Sequence, residues 1–574
     1  MAGTDLSLRT ALASLALLLV VSGFVKRRMR RHPLDNLPGP PSPSALTGHL
    51  GQLHSLEGWD FVRGLGNYGR IVKTRGLLNR RELYVTDPKA LHHIIIKEQD
   101  IYEETDEFIQ YVNHYLIFGV IARLLGTDFA LDSLNKLVFG GGLLSSLGET
   151  HRKQRKMLNP AFSARHLEAI VPIFYQVSYK LRDAIHSKVK ESSQEIDMSK
   201  WFTRTALELI GQSGLGYSFN NLDEGPSHPY SGAIKQLIPT VSKLIIPMLL
   251  LPYFSGIGSP AFRRAVVERI PSVAVQQGRN IVDLMDNTSR DILKAKREVI
   301  QRGGEAVTQQ VGNGKDIMSV LFTDPMIVQY NSQAAESDRL SEAEIIAQVS
   351  TLVFAATDTT SAALARIFHL LAQHPNVQAR LRSEVIDARV QAGDLDYKAI
   401  SNLPYLDAII RETLRLARKD AVLPVSKTII GVDGGNINEI NVPKGTLLMV
   451  SIIGANRDRQ IWGEDAEEWN PDRWLSPLPQ SVMDAHFPGI YSNMMTFLGG
   501  GRACIGFKFS QLEMSELKHY ILSHALTRYY LKEVVISLLL ESFEFSLSDK
   551  EIVWNLGGII TPTQLPLVVS KIES

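Results

Sequence analysis

The stretch SEAEIIAQVSTLVFAATDTTSAALARIFHLLAQHP, residues 341–375, contains no glycine and no proline before its last residue. It reads as one long helix, opened by Ser341 and Glu344 at capping-box spacing and stopped by Pro375. Its centre is apolar on nearly every side. Such a helix has no face to give to water, so it must run through the core with other helices packed around it. Yet Thr357, Asp358, Thr359 and Thr360 sit in that centre. A carboxylate and three hydroxyls there must be hydrogen-bonded or line a wet cavity, and threonine back-bonding loosens the helical ladder. The bland alternative is a local polar accident.

The rest of the chain is consistent with such a core. Helical periodicity broken at prolines dominates residues 151–420, whereas RIVKTRG and ELYVTD, within residues 70–87, read as short strands. Short strand-like pieces return after residue 420 in VSKTII and INVPKGTLLMV, and the Gly/Gln-rich stretch 301–316 reads as a surface loop. The expected fold class is mainly α with a minor β-sheet region (α+β) drawn from both ends of the sequence. With 574 residues there is enough chain for one large core or several ordinary ones. Sixty-one basic residues balance 60 acidic ones, so no global field points to nucleic acid.

The N-terminus suggests a membrane. TALASLALLLVVSGFV, residues 10–25, extends back through Leu8 and Leu6 to about 20 apolar residues, interrupted only by Arg9. Lys26, Arg27, Arg28, Arg30 and Arg31 follow it, the reverse of a cleaved signal peptide. An uncleaved transmembrane signal-anchor over 1–31 is expected, with the remainder on the cytosolic side. A signal peptide and a buried helix are the alternatives. LPGPPSPS, residues 37–44, then reads as a stiff proline-rich hinge within 32–45, and 46–574 as one body.

Cys504 in FLGGGRACIGF is the only cysteine, so a disulfide framework and a multi-cysteine zinc site are excluded. Arg502 and the helix-like run FKFSQLEMSE favour a thiolate there. Gly499, Gly500, Gly501 and Gly506 are expected to let a flat, bulky group approach. Thiolate is an axial ligand of haem iron; a nucleophile and an inert buried thiol are the other readings. Glu412 and Arg415 lie three apart on one helix face, and Arg473 is a candidate third member of a buried network.

FLGGGRACIGF resembles the haem-binding signature of the cytochrome P450 family, F-x-x-G-x-R-x-C-x-G, through Phe497, Gly500, Arg502, Cys504 and Gly506. RETLR resembles its E-x-x-R, PDRW its P-E-R-F element, AATDTT its oxygen-activation motif, HRKQR its W-x-x-x-R and LPGPP its proline-rich hinge. These motifs occur in the family's order along nearly the whole chain. HRKQRKMLNPAFS and ANRD-x-x-x-WG are most similar to fungal, basidiomycete members. The resemblance implies haem b with Cys504 as proximal ligand and Arg155 and Arg502 paired with its propionates. It implies a structural triad of Glu412, Arg415 and Arg473, and proton delivery to dioxygen by Asp358 and Thr359. It also implies a microsomal monooxygenase at the endoplasmic reticulum membrane, catalytic body in the cytosol, fed by a separate NADPH-dependent flavoprotein reductase.

Three positions depart from the family pattern: Ala356 for glycine, His151 for tryptophan and Asp472 for glutamate. Residues 111–132 and 516–532 exceed it in length, as unspliced sequence would. By resemblance, substrate contacts fall near residues 100–145, 240–256, 354–358, 421–425 and 557–561. Their apolar character suits a lipophilic, terpenoid-type substrate, and IIPMLLLPYF fits a bilayer contact equally well. Arg152, Lys153 and Lys508 are candidates for the reductase face, although each suits an ordinary solvated charge. The other functional readings are a haem-thiolate isomerase or dehydratase, and a haem-binding pseudoenzyme disabled by the second excess segment.

Overall fold

The computed structural model describes residues 32–99, 102, 138–248, 257–302, 316–319, 340–395, 403–416, 429–507 and 531–572, apart from short gaps within them. The longer helices are α1 (Gly148–Leu158), α2 (Ala164–Lys188), α3 (Met198–Ile210), α4 (Pro229–Met248) and α5 (Pro260–Arg269). They continue with α6 (Val273–Arg302), α7 (Glu342–Gln373), α8 (Pro375–Ala392), α9 (Pro404–Arg415) and α10 (Leu531–Ser542).

The long apolar segment forms α7. Ser341 Oγ accepts from Glu344 N at 3.2 Å, and Ser341 N donates to Glu344 Oε2 at 2.8 Å. Glycine-free sequence lets the helix run unbroken through its threonines, so the loosening expected at Thr357–Thr360 is not seen. It packs against α3, α6, α8 and α9, and most of its residues from Ile346 to Ala372 are buried.

Strands β1 (Ile71–Arg75) and β2 (Arg81–Val85) pair antiparallel; β6 (Leu447–Val450) runs parallel to β2, with Glu82 opposite Leu447. A second sheet places β10 (Pro566–Lys571) between β3 (Gln194–Asp197) and β7 (Phe543–Leu547). Two ribbons join β4 (Ile429–Ile430) to β5 (Asn436–Ile437) and β8 (Trp554–Leu556) to β9 (Ile560–Pro562). Both larger sheets unite distant parts of the chain, because alternating apolar residues must find a covered face wherever the helices leave one.

The proline-rich segment is more than a spacer. Leu34 and Leu37 are buried against Ile71, Leu83 and Val85, and Lys73 N donates to Pro38 O at 2.8 Å. Asp35 accepts from Arg81 Nε and Nη2, each at 2.7 Å. The segment is therefore docked on the first sheet. Among the described residues no helix is long and apolar enough to cross a membrane. The expected anchor, residues 1–31, lies outside them, as do residues 111–132 and 516–530.

Candidate functional site

A cavity of about 720 Å³ lies beside the middle of α7. Ala355, Ala356 and Thr359 line it from the helix, and Phe497, Cys504 and Gly506 line it from the cysteine loop. Thr359 Oγ1 donates to Ala355 O at 2.7 Å, the back-bond open to a threonine four residues along a helix. Asp358 points away from this wall and is almost fully buried. Burial pushes its pKa up to about 6, opposed by the positive charge of Lys235 on α4. Thr357 is also buried, and its hydroxyl has no hydrogen-bond partner among the described residues.

The cysteine loop is tied to itself and to its surroundings. Cys504 N donates to Phe497 O at 3.0 Å, and Phe507 N donates to Cys504 O at 3.2 Å. Phe497 packs edge-on to Phe507 with ring centroids 5.0 Å apart and to Tyr491 at 5.8 Å. The loop glycines correct the sequence expectation. A Cβ on Gly499 would lie 1.8 Å from Pro488 O, and one on Gly500, whose φ is +60°, would lie 2.2 Å from Ile95 O. A Cβ on Gly501 would press on Gln99, which accepts from Gly501 N at 2.8 Å. These three glycines make room for other protein segments. Gly506 alone of the four faces the cavity, with Cys504 Sγ 3.9 Å from where its Cβ would be.

Behind the loop the structure brings Glu412, Arg415 and Arg473 together. Arg415 donates to both carboxylate oxygens of Glu412, at 3.0 and 2.8 Å, and to the carbonyls of Asn456, Ala466 and Glu468. Glu412 also accepts from Asn470 N at 3.0 Å, Trp474 Nε1 at 2.9 Å and Arg473 Nε at 3.4 Å. Arg473 is held more firmly by Asp465 Oδ2, at 2.7 Å. Asp465 and Trp474 went unforeseen, because nothing in their local spacing points toward Glu412.

Arg155 and Arg502 line a separate cleft of about 430 Å³ rather than the large cavity. Arg155 donates to Ala503 O, and Arg502 Nη2 donates to Ser146 O at 2.9 Å. In this arrangement both fasten the cysteine loop to α1 and the turn before it. His151 is buried in the same cleft, and burial, aided by Arg502, Arg155 and Arg152, lowers its pKa to about 4. It is therefore neutral at ordinary pH. Gln154 was not singled out in the sequence, where it looks like one more polar residue among basic ones. Fully buried, it accepts from Ser146 Oγ and Gln348 Nε2 and donates to Gly141 O and Glu344 Oε1, linking α1 to α7.

Of the other expected positions, Arg152 and Asp472 are surface residues paired with Glu149 and Arg380. Phe354 is buried in the core. Ile560 lines the cavity, whereas Lys508 and residues 421–425 and 557–559 lie outside the described residues.

The thiol of Cys504 from the loop, the hydroxyl of Thr359 from α7 and a mainly apolar exposed wall share one cavity, a set that fits a flat cofactor whose iron takes one axial thiolate. Comparison with known proteins agrees with that fit. The Cytochrome P450 family profile matches residues 38–555. Cytochrome P450 monooxygenase 91 of Postia placenta is 45% identical over 560 residues, covering 94% of this chain and 95% of that protein. Monooxygenase 81 of the same fungus is 44% identical over 585 residues, covering 99% and 97%. A ganoderic acid synthetase of Ganoderma lucidum is 38% identical over 552 residues, covering 94% and 92%.

Proposed function

Because the chain belongs to the cytochrome P450 family and is a haem-thiolate monooxygenase, we propose that its substrate is a lipophilic small molecule of terpenoid type. The observation that carries this reading is the cavity itself, which Cys504 and Thr359 both line and whose exposed wall is mainly apolar, with charged residues such as Asp60, Arg63, Arg366 and Glu551 also on it. The Ganoderma relative is a ganoderic acid synthetase by name, which supports the substrate class.

Cys504 would bind the haem iron, and Gly506 leaves space beside its sulfur. Haem bound there supplies dioxygen activation and the insertion of one oxygen atom. The protein's own part is to hold and move protons. Asp358, with a pKa near 6, gives up a proton and regains one at near-neutral pH. Asp358 does not line the cavity, so its proton would enter by way of Thr359 Oγ1, the next residue on α7, once that hydroxyl turned from Ala355 O, its present acceptor. Arg155 and Arg502 keep Ala503 and the adjoining cysteine fixed, so the sulfur stays aimed at one point.

We also propose that electrons come from a separate NADPH-dependent reductase and that residues 1–31 anchor the chain in the endoplasmic reticulum membrane. Membranes carrying the full chain and a fungal reductase, supplied with NADPH and a panel of terpenoid hydrocarbons and alcohols, test the substrate class. Oxygenated products that require both NADPH and Cys504 are expected. NADPH-dependent products from other compounds but none from terpenoids would overturn it.

A further inference from the structure

Arg366 stands on α7 seven residues beyond Thr359 and lines the same cavity as Thr359 and Cys504. Most of its surface is covered, yet none of its contacts among the described residues carries negative charge. Its guanidinium carbon lies 5.0 Å from the centre of the Trp554 ring, and its Nη1 is 3.3 Å from His369 Nδ1. Trp554 Nε1 donates to that same nitrogen at 3.2 Å, which leaves Nδ1 without a proton. Burial and Arg366 together hold the His369 pKa near 4, so the ring is neutral. The neighbouring cation Arg457 adds to the positive field. It has its own partners, Glu467 through Nη1 at 3.1 Å and Leu416 O through Nη2 at 2.6 Å. Burial and Arg457 accordingly pull the Arg366 pKa down to about 10.

A covered guanidinium that is oriented but not neutralised costs stability until an anion reaches it. The planar fork is held by an aromatic face and a neutral imidazole, a posture that suits two parallel hydrogen bonds to a carboxylate. We propose that Arg366, posed by Trp554 and His369, binds the carboxylate of a ligand within the cavity. The inference rests on the monooxygenase reading, in which that carboxylate belongs either to an acidic terpenoid substrate or to a haem propionate.

The test uses the holoenzyme, Arg366→Gln and Arg366→Lys. Haem content and the carbon monoxide spectrum of the reduced protein are measured first. Optical titrations with a diterpene acid and its methyl ester follow. If the substrate supplies the carboxylate, wild type binds the acid at least tenfold more tightly than the ester. Arg366→Gln then removes that preference with haem content unchanged, and Arg366→Lys restores part of it. If a propionate supplies it, Arg366→Gln loses haem several-fold faster to an apo-globin acceptor, and Arg366→Lys slows the loss. Unchanged haem retention together with an unchanged acid-to-ester ratio in Arg366→Gln overturns the proposal. A wild-type chain that lacks the thiolate-type carbon monoxide band would instead count against the haem-thiolate reading itself.

Discussion

Arg415 and Arg366 are both covered arginines, and the protein treats them in opposite ways. Arg415 gives two hydrogen bonds to Glu412 and three more to backbone carbonyls, so its charge and its geometry are both satisfied. Arg366 meets an indole face and one ring nitrogen. The same contrast holds for carboxylates. Glu412 accepts from Arg415, Asn470, Trp474 and Arg473, whereas Asp358 is buried with its pKa raised to about 6. In the network around Glu412 and Arg415 each charge meets several partners, because an unsatisfied one buried there would cost stability and return nothing. Arg366 on the cavity wall and Asp358 behind it lack such a set of partners, and that shortage makes them able to bind an anion or move a proton.

The hardest test of that division removes the acid from the saturated side. Glu412→Ala leaves Arg415 and Arg473 without their shared counter-charge in a site closed to water. A loss of roughly 3–5 kcal/mol is expected, read as a lower denaturation midpoint and poor yield of folded protein. Asp465→Ala, at the partly open edge of the same network, should cost less than about 1 kcal/mol. Equal midpoints for Glu412→Ala and the parent would mean that Arg415 is held by carbonyls alone.

Asp358→Asn probes the unsaturated side. Turnover should fall roughly 100-fold, the scale of losing a positioned proton donor, while the carbon monoxide spectrum of the reduced protein stays intact. The parent's rate should show an inflection near pH 6 that the variant lacks. Stability should move the other way. A carboxyl whose folded pKa lies above its ordinary 3.8 contributes stability that is full below that value and fades as pH rises through about 6. Above pH 6 the asparagine variant should therefore be the more stable protein, by at most about 3 kcal/mol. Turnover within a factor of two of the parent would remove Asp358 from the proton path.

What could be read from sequence divides along similar lines. Helix α7 was legible because its capping box, apolar surround and absence of breakers are all local. The Glu412–Arg415 pair was legible from helical spacing, but Asp465 and Trp474 were not, since Asp465 meets Arg473 and Trp474 meets Glu412 only after distant segments have come together. Three glycines of the cysteine loop, Gly499, Gly500 and Gly501, have other protein segments as neighbours, and only Gly506 faces the cavity as the sequence implies. Pro488 O and Ile95 O, which Gly499 and Gly500 make room for, come close only after the chain has folded. Gln154 and Arg366 were passed over for one physical reason. A polar residue in a helix looks solvated until the segment opposite it is known, and those segments lie far away in sequence.

The smallest expected effect concerns Lys235, the one cation among the described residues whose charge opposes the burial of Asp358. Lys235 Nζ donates to Ser199 Oγ at 3.2 Å. Burial lowers its own pKa, while Asp358 and Asp197 act in the opposite direction. Lys235→Met keeps the length and apolar stem of the side chain but deletes its charge. Asp358 then loses its stabilising partner, so its pKa must rise further and the inflection in rate must move upward, by less than about one pH unit. Maximal turnover below the inflection should be unchanged, because Lys235 does not line the cavity with Thr359 and Cys504. An inflection that stays in place would show that burial alone sets the Asp358 pKa. A downward move would mean that Lys235 holds the site in a shape that keeps Asp358 dry, and that the variant has let water in.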